Sequence, residues 1–207
     1  MDLYFSDHFK VKEADLEQYG AFNISLVADL PLFIDPFLLF NSKKKKYQQL
    51  HDDIIKYLVF LKEKSTSQTI DTGALKAWYV FKEVEQNWLG FSVSGNKGSA
   101  LGLDFGRELN NNLHKIFSEF GQENVTKGSH LEKLCLIKDG VGKDNISDFA
   151  TNLVKGFLLD YTQTFAQQYI AENLREQFRV QRVRFNYDTE TWEECTGPLS
   201  LHTNLVS

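Results

Sequence analysis

The longest helical periodicity in the sequence covers residues 146–169, and it constrains the fold more than any other feature. Apolar side chains recur there every three or four residues for about six turns of helix. They are Ile146, Phe149, Leu153, Phe157, Tyr161, Phe165 and Tyr169. Asn145, followed three residues later by Asp148, is typical of a capping arrangement at a helix start. The pattern predicts a long central helix over about 146–170, with its wide apolar face in the core.

Three further amphipathic helices are indicated before this one. Residues 48–64 carry leucine and isoleucine at helical spacing, and Asp71 offers an N-cap for a second helix that contains Leu75 and Trp78. Residues 103–120 restore the helical period after a glycine-rich stretch. Helices therefore dominate the predicted fold.

A change of period follows at residues 180–187, where apolar and polar side chains alternate as in a half-buried strand. One strand needs a partner, and the residues after Trp192 show no strand pattern, so the partner is expected from earlier in the chain or from another molecule. The sequence predicts a helix-rich α+β single domain over residues 1–193, with a small sheet. Residues 194–207 are predicted to form an irregular tail.

The charge balance limits the partners that the whole surface can attract. The chain has 207 residues, with 23 Lys and Arg against 28 Asp and Glu, which gives a net charge of -5. A chain of this length buries about 70% of its unfolded surface, so it can form a core without disulfides or metals. Mild acidity gives no global attraction for nucleic-acid phosphate. Arg179, Arg182 and Arg184 form a local basic patch that suits nucleic acid or simply solvates one sheet face.

Cysteine and histidine spacing argues against two common site types. Cys135 and Cys195 lie far apart and neither belongs to a C-x-x-C pair, so both are expected as free thiols. The five histidines include no H-E-x-x-H motif, which argues against a zinc hydrolase of that kind. The first eight residues carry acids where a secretory signal needs basic residues and an apolar run. A cytoplasmic protein is expected.

The most apolar segment, residues 30–40, is followed closely by the four lysines at 43–46. It is too short, and too broken by Pro31, Asp35 and Pro36, to span a bilayer. Two interpretations remain: the segment lies on an anionic membrane surface, or it is buried and irregular and precedes a solvated lysine loop. We favour the buried segment, because isolated charge runs are usually exposed, and expect no stable membrane association.

The densest acidic motif is the run Asp-Gly-Val-Gly-Lys-Asp-Asn-Ile-Ser-Asp at residues 139–148. Two glycines allow a tight turn, and carboxylates converge on a helix start. Such a turn suits Mg²⁺ or Mn²⁺ bound by Asp139, Asp144 and Asp148. In this interpretation Asp144, Asp148 and Lys143 are the catalytic residues of phosphodiester cleavage. The two aspartates hold the metal, and the lysine neutralises a phosphate oxygen. The alternative is that Asp144 and Asp148 only cap the helix and interact favourably with the positive end of its dipole.

A second candidate pair is Arg107 and His114, which are seven residues apart and therefore project from one line of a helix. They are predicted to lie opposite the apolar side chains of that helix. An Arg and a His on one face suit metal-independent RNA cleavage, with His as acid or base and Arg steadying the phosphate. The spacing resembles the Arg-x(4 to 6)-His pattern of HEPN ribonucleases, in which two subunits bring the motif together. A chance polar face is the alternative.

The third candidate is the glycine loop at residues 94–99, which precedes the helix that holds Arg107. A phosphate-binding loop combines unpaired backbone N–H groups with a basic side chain before a helix start. Here the glycines would expose the N–H groups, and Lys97 and Ser99 would add side-chain donors. The order of residues is not that of a P-loop, because Lys97 precedes the glycine and serine instead of lying between them. A surface loop without a ligand is the alternative.

Several segments carry a resemblance to a known family. The run at 130–165, above all residues 139–153 and the Asp-Tyr-Thr-Gln at 160–163, resembles a family of uncharacterised bacterial proteins. Residues 87–92 and 184–188 do so as well. Similar proteins are found among bacterial phage-defence genes. Members continue with a segment that contains Leu-Thr-Pro-Lys, so the resemblance implies a truncated or frame-shifted end here.

The leading hypothesis is a divalent-metal-dependent nuclease, or the remnant of one, that acts in bacterial defence on nucleic acid. The first alternative is a non-catalytic interaction module whose exposed strand edge binds a protein partner encoded alongside it. The second alternative is a HEPN-like ribonuclease. Substrate and oligomeric state are not indicated by any motif.

Overall fold

A computed structural model describes residues 3–28, 33–67, 69–82, 84, 101–116 and 143–199. Within these residues the chain forms seven α-helices and one two-stranded antiparallel sheet. The helices are α1 (Phe5–Phe9), α2 (Glu13–Tyr19), α3 (Pro36–Phe40), α4 (Lys45–Ser67), α5 (Thr72–Trp78), α6 (Leu103–Ile116) and α7 (Lys143–Tyr169). The strands are β1 (Glu176–Asn186) and β2 (Thr191–Leu199). The predicted helix-rich α+β class, with its long helix and small sheet, is confirmed.

Local sequence explains where several helices begin and end. Asp71 caps α5 as predicted, since its carboxylate accepts the backbone N–H of Ala74 at 2.8 Å. Asp35 caps α3 in the same way, with the N–H of Phe37 at 2.8 Å. Helix α2 ends at Gly20, whose φ of 83° lies in the left-handed region that glycine adopts without strain. Two aspartate side chains and one glycine thus set these helix boundaries.

The chain divides into two compact units. The described residues of the first unit are 3–28, 84 and 155–199, and those of the second are 33–67, 69–82, 101–116 and 143–154. Helix α7 contributes its first part to the second unit and its remainder to the first. The assignment of residues 1–193 to one domain stays a prediction.

The second unit is built around fully buried aromatic side chains. The hydroxyl of Tyr79 donates to the carbonyl of Leu61 at 2.6 Å, which satisfies a polar atom inside the core. Gly106 of α6 lies against the same tyrosine, and a Cβ there would meet the Tyr79 carbonyl oxygen at 3.1 Å. The rings of Phe81 and Phe149 meet edge-on with centroids 4.5 Å apart. The unit is closely packed at these contacts.

The first unit has two buried clusters. The larger joins α1 and α2 to the end of α7; it contains Phe9, Val11, Leu16, Phe165, Ala166 and Ile170. Beside it, the Tyr19 and Tyr161 hydroxyls each donate to the other residue's carbonyl, at 2.9 and 3.0 Å. The smaller cluster, Leu159, Val180 and Val183, joins α7 to β1. Helix α7 therefore contributes apolar side chains to both buried clusters of this unit.

Two predictions about the sheet are wrong. The partner of β1 is β2, which follows it in the chain after a short turn, rather than an earlier segment or another molecule. Residues 194–199, predicted as part of an irregular tail, form the second half of β2. The turn is stabilised by Asn186, whose side-chain oxygen accepts the backbone N–H groups of Asp188 and Thr189. Backbone pairing with β1 creates a strand that has no strand pattern of its own.

The apolar segment before the lysines also differs from expectation. Phe37 and Leu38 of α3 are 47% and 66% exposed, so the favoured interpretation of a buried segment is wrong for these residues. The lysines at 43–46 are exposed, as expected, but Lys45 and Lys46 belong to α4 rather than to a loop. Within the described residues, no helix has the length and apolar character required to cross a membrane.

Candidate functional site

Strand β1 of the first unit contains a bulge. Val180 pairs with Cys195 and Arg184 pairs with Glu193, so three residues of β1 lie against one residue of β2. Within the bulge, Arg182 has a φ of 56°, a conformation that side-chain-bearing residues rarely adopt. Backbone of this kind costs about 1–3 kcal/mol and is concentrated at functional sites. The bulge therefore marks a candidate site.

Lys155 of α7 contacts the backbone of the bulge. Its Nζ donates to the carbonyl oxygen of Gln181 at 3.1 Å, and the residue is only 6% exposed. Burial, together with the nearby positive charge of Arg182, lowers the pKa of Lys155 to about 8. A buried amine with a lowered pKa beside a strained backbone is typical of functional sites.

Gly156 makes room for the next arginine of the strand. A Cβ at this position would lie 3.0 Å from Nε of Arg184 and 3.1 Å from its Cγ, closer than most real contacts. With glycine there, the Arg184 guanidinium passes along α7 and donates to the carboxylate of Asp160 at 2.6 Å. Both side chains are largely exposed, so the ion pair mainly orients the guanidinium.

Three aromatic side chains gather on the hairpin. Phe185 and Trp192 are directly opposite in the strand register, so they share one face, and their ring centroids are 5.2 Å apart. Tyr187 contacts Phe185 at 5.1 Å. The guanidinium carbon of Arg182 lies 4.9 Å from the centroid of the Trp192 ring, in a cation–π contact. We call these four half-buried residues the aromatic–arginine cluster.

The predicted basic patch is less positive than the sequence indicates. Arg179 makes two hydrogen bonds to the carboxylate of Glu194, at 2.9 and 2.6 Å. These bonds lower the pKa of Glu194 and raise that of Arg179. Arg184 likewise faces Asp160. Two of the three arginines are thus neutralised by carboxylates, and Arg182 lies over Trp192 instead.

Residues 143–148 of the acidic run belong to the first part of α7. This helix begins at Lys143, so Asn145 lies inside it and the predicted capping arrangement at Asn145 is wrong. Asp144 and Asp148 are four residues apart on α7, which places them on one face of the helix. Asp148 is half-buried. Asp139 lies outside the described residues, as do the side chains of Lys143 and Asp144.

The predicted metal site is only partly within the described part of the chain. No three His, Cys, Asp or Glu side chains that the structure describes lie close enough together to hold a metal ion. Two of the three predicted ligands, Asp139 and Asp144, are not among those side chains. Binding of Mg²⁺ or Mn²⁺ by this turn stays a prediction.

The other predicted residues lie on α6 or outside the described residues. Arg107 and His114 both belong to α6, and Arg107 is exposed while Leu109 and Leu113 are fully buried. The Arg107 guanidinium forms an ion pair with Asp104 at 3.4 Å. Nothing is described of the His114 side chain, and Lys97 and Ser99 lie outside the described residues. Cys195, in contrast, is a free and exposed thiol, as predicted.

Sequence reasoning missed Lys155 and Gly156. The predicted apolar stripe of α7 includes Leu153 and Phe157, which are only half-buried, whereas Lys155 and Gly156 between them are buried. The available signal was a lysine next to a glycine in the most apolar part of a helix. A charge at that position predicts either a helix that is not buried there or a lysine with a specific partner.

The fold and the bulged hairpin define a helix-rich α+β protein with a site made from one helix and two strands. A family model described as a domain of unknown function, DUF8370, matches residues 10–204. The chain belongs to this family. Searches of the curated proteins and of the solved structures returned no match for the chain.

Proposed function

We propose that this chain acts on nucleic acid and that the aromatic–arginine cluster binds the bases of a single strand. One observation carries the proposal: Arg182 lies over the Trp192 ring on the face that also presents Phe185. Aromatic side chains stack with every base, and an arginine among them adds cation–π contact and a partner for phosphate. A duplex keeps its bases stacked inside, so a single strand is the expected ligand.

The net charge of -5 affects how this binding works. Long-range attraction of phosphate is absent, and two nearby arginines already face carboxylates. Affinity then depends on stacking, which contributes about 1–3 kcal/mol per base, more than on released counterions. Binding is expected to be weak and only mildly sensitive to salt.

Replacing Arg182 with glycine tests the cluster without straining the hairpin. Glycine adopts the φ of 56° freely, so Arg182→Gly keeps the bulge and removes the guanidinium. We expect about a fivefold to tenfold loss of affinity for a fluorescein-labelled oligo-dT or oligo-U, because the guanidinium can no longer contact the bound base, a cation–π contact of about 1 kcal/mol. Fluorescence anisotropy measures the affinity, and the melting temperature is expected to stay the same or rise.

Trp192→Ala is the complementary variant, with an expected loss of about tenfold or more from the missing stack. Phe22→Ala is the matched control, because Phe22 is a 68% exposed aromatic residue that lies outside the hairpin. Equal binding by the native chain and Arg182→Gly would contradict the proposed surface. So would an equal loss of affinity in Phe22→Ala.

The proposal extends to chemistry at the acidic turn. We propose a divalent-metal-dependent nuclease in which Asp139, Asp144 and Asp148 hold Mg²⁺ or Mn²⁺ and Lys143 faces the phosphate. The spacing of Asp144 and Asp148 on one face of α7 supports this assignment. These carboxylates would hold the ion, which would supply Lewis-acid activation for phosphodiester hydrolysis when bound. A role in bacterial defence and a cytoplasmic location belong to the same proposal and rest on the sequence and the resemblance.

Asparagine at Asp144 and Asp148 tests the nuclease. Without these carboxylates we expect Mg²⁺-dependent cleavage of single-stranded DNA and RNA to fall at least about a hundredfold, while the circular-dichroism spectrum is unchanged. The charge-matched control replaces Asp52 and Asp53, two exposed aspartates of α4, with asparagine. Cleavage is measured on denaturing gels with Mg²⁺ and with EDTA.

The same assay separates the alternatives. RNA cleavage that resists EDTA and is lost in His114→Ala favours the HEPN-like ribonuclease with Arg107. Absence of cleavage, with only a lower melting temperature in the aspartate variants, favours a non-catalytic module that binds a protein partner. In either case the metal-dependent nuclease is rejected, whereas the single-strand surface is judged by its own binding data.

A further inference from the structure

Helix α3 presents apolar side chains outward beside a run of lysines. Phe37 and Leu38 are adjacent and 47% and 66% exposed, whereas Pro36 before them is buried. The lysines at 43–46 follow a few residues later, and all four are exposed. We call Phe37, Leu38 and these lysines the α3 patch.

The patch is held in place on its other side. Asp35 caps α3, and α3 packs against α4. The ring of Phe40 contacts the buried His51 of α4, with centroids 5.1 Å apart. Leu38 lies two residues from Phe40, on the opposite side of the helix, so this contact leaves it on the outer side. Phe37, three residues from Phe40, is exposed at the edge between the two sides.

Charge around α3 is opposite to that of the whole chain. From 33 to 47 the sequence contains four lysines against one aspartate, although the chain carries a net charge of -5. The aspartate is Asp35, whose carboxylate is already engaged in the cap. Lys44 and Lys46 lie 5.5 and 5.0 Å from the centroid of the Tyr47 ring, which keeps their ammonium groups close to the helix start. Positive charge is thus concentrated beside the exposed apolar pair.

We propose that the α3 patch binds the surface of an anionic membrane. Phe37 and Leu38 enter the boundary between headgroups and acyl chains, and the lysines contact the acidic headgroups. Two such signals together give reversible attachment without a helix that crosses the bilayer. The charge complementarity selects this partner, since an anionic bilayer accepts both the lysines and the apolar pair. Nucleic acid offers partners to the lysines but no hydrocarbon to Leu38.

Vesicle flotation with the full chain tests the proposal. The native chain is expected to float with vesicles made of equal parts phosphatidylcholine and phosphatidylserine, and not with phosphatidylcholine alone. Binding should weaken as salt screens the lysines. Lys43→Gln with Lys45→Gln is expected to reduce the partition coefficient by about tenfold to thirtyfold. Phe37→Ser with Leu38→Ser is expected to reduce it at least about tenfold.

Matched controls lie elsewhere on the chain. Phe22→Ser removes an apolar side chain of similar exposure, and Lys10→Gln with Lys12→Gln removes two exposed lysines. The controls are expected to bind like the native chain, and circular dichroism verifies that every variant is folded. No flotation of the native chain, or an equal loss in the controls, overturns the proposal.

Two other outcomes also overturn it. If the lysine pair abolishes binding to a labelled single strand and no variant binds vesicles, the α3 patch is a nucleic-acid surface. If the native chain forms a dimer that Phe37→Ser with Leu38→Ser dissociates, and vesicles are not bound, the patch joins two copies of the chain. The proposal is independent of the nuclease, because flotation needs neither Mg²⁺ nor Asp148.

Discussion

Phe149→Ala is expected to lower the free energy of unfolding by about 3–5 kcal/mol, the usual cost of removing a buried ring and leaving a cavity. Phe149 is fully buried in the second unit and meets the ring of Phe81 edge-on, with centroids 4.5 Å apart. The aromatic contact adds to the loss, since such pairs contribute about 0.5–1.5 kcal/mol beyond burial. Urea unfolding followed by circular dichroism measures the change as a lower midpoint with a similar slope.

Phe37→Ala serves as the control, because Phe37 is 47% exposed and its removal is expected to change stability by less than about 0.5 kcal/mol. A loss below about 1 kcal/mol in Phe149→Ala would mean that the core of the second unit is not packed as described.

Lys155→Met is expected to abolish a rise in stability between pH 8 and pH 10.5. Burial and the charge of Arg182 lower the pKa of Lys155 from 10.5 to about 8 in the folded chain. Between these values the unfolded chain binds the proton and the folded chain does not, so stability rises with pH. The difference between 10.5 and about 8 corresponds to about 3 kcal/mol.

The comparison is made by urea unfolding of the native chain and Lys155→Met across this pH range. Other groups that titrate at high pH are common to both proteins, so the difference between the two curves isolates Lys155. Lys10→Met, at an exposed position, should follow the native curve. If the free energies of unfolding of the native chain and Lys155→Met change with pH in parallel, the pKa of Lys155 is not lowered by burial.

Helices α4 to α7 were predictable because their signals are local, whereas the short helices α1, α2 and α3 were not predicted. The apolar spacing that indicates α4, α6 and α7, and the aspartate that caps α5, can be found within a few residues of chain. Predicted boundaries differ from the observed ones by a few residues at the described ends, which is normal for helix ends. Burial along α7 was less predictable, because Lys155 and Gly156 depend on which strand lies against them.

Strand β2 was not predictable from its own residues. It contains Gly197 and Pro198 and lacks alternation, and its extended backbone is explained by pairing with β1. The usable signal was the turn, since Asn186 accepts two backbone N–H groups just after the predicted strand. A hairpin to the residues after Glu190 follows from that turn more naturally than a distant partner.

The candidate site was only half visible in the sequence. The three arginines of β1 were recognised as a patch, but their partners Glu194, Asp160 and Trp192 are set by strand register and by the path of α7. The register between β1 and β2 depends on the bulge at Arg182, and a bulge cannot be predicted from the periodicity of the sequence. Site geometry of this kind therefore requires the three-dimensional structure.

The division of α7 between the units fixes the order in which a growing chain can complete them. The second unit draws on residues up to 154, so all of its parts are synthesised before β1. Phe9 and Leu16 of the first unit pack in one cluster with Phe165 and Ile170, which are synthesised after the whole of the second unit. The second unit can therefore form first, and the apolar side chains of α1 and α2 stay exposed until the end of α7 has been synthesised. Chaperones that bind nascent apolar segments would be expected to meet α1 and α2 during this interval.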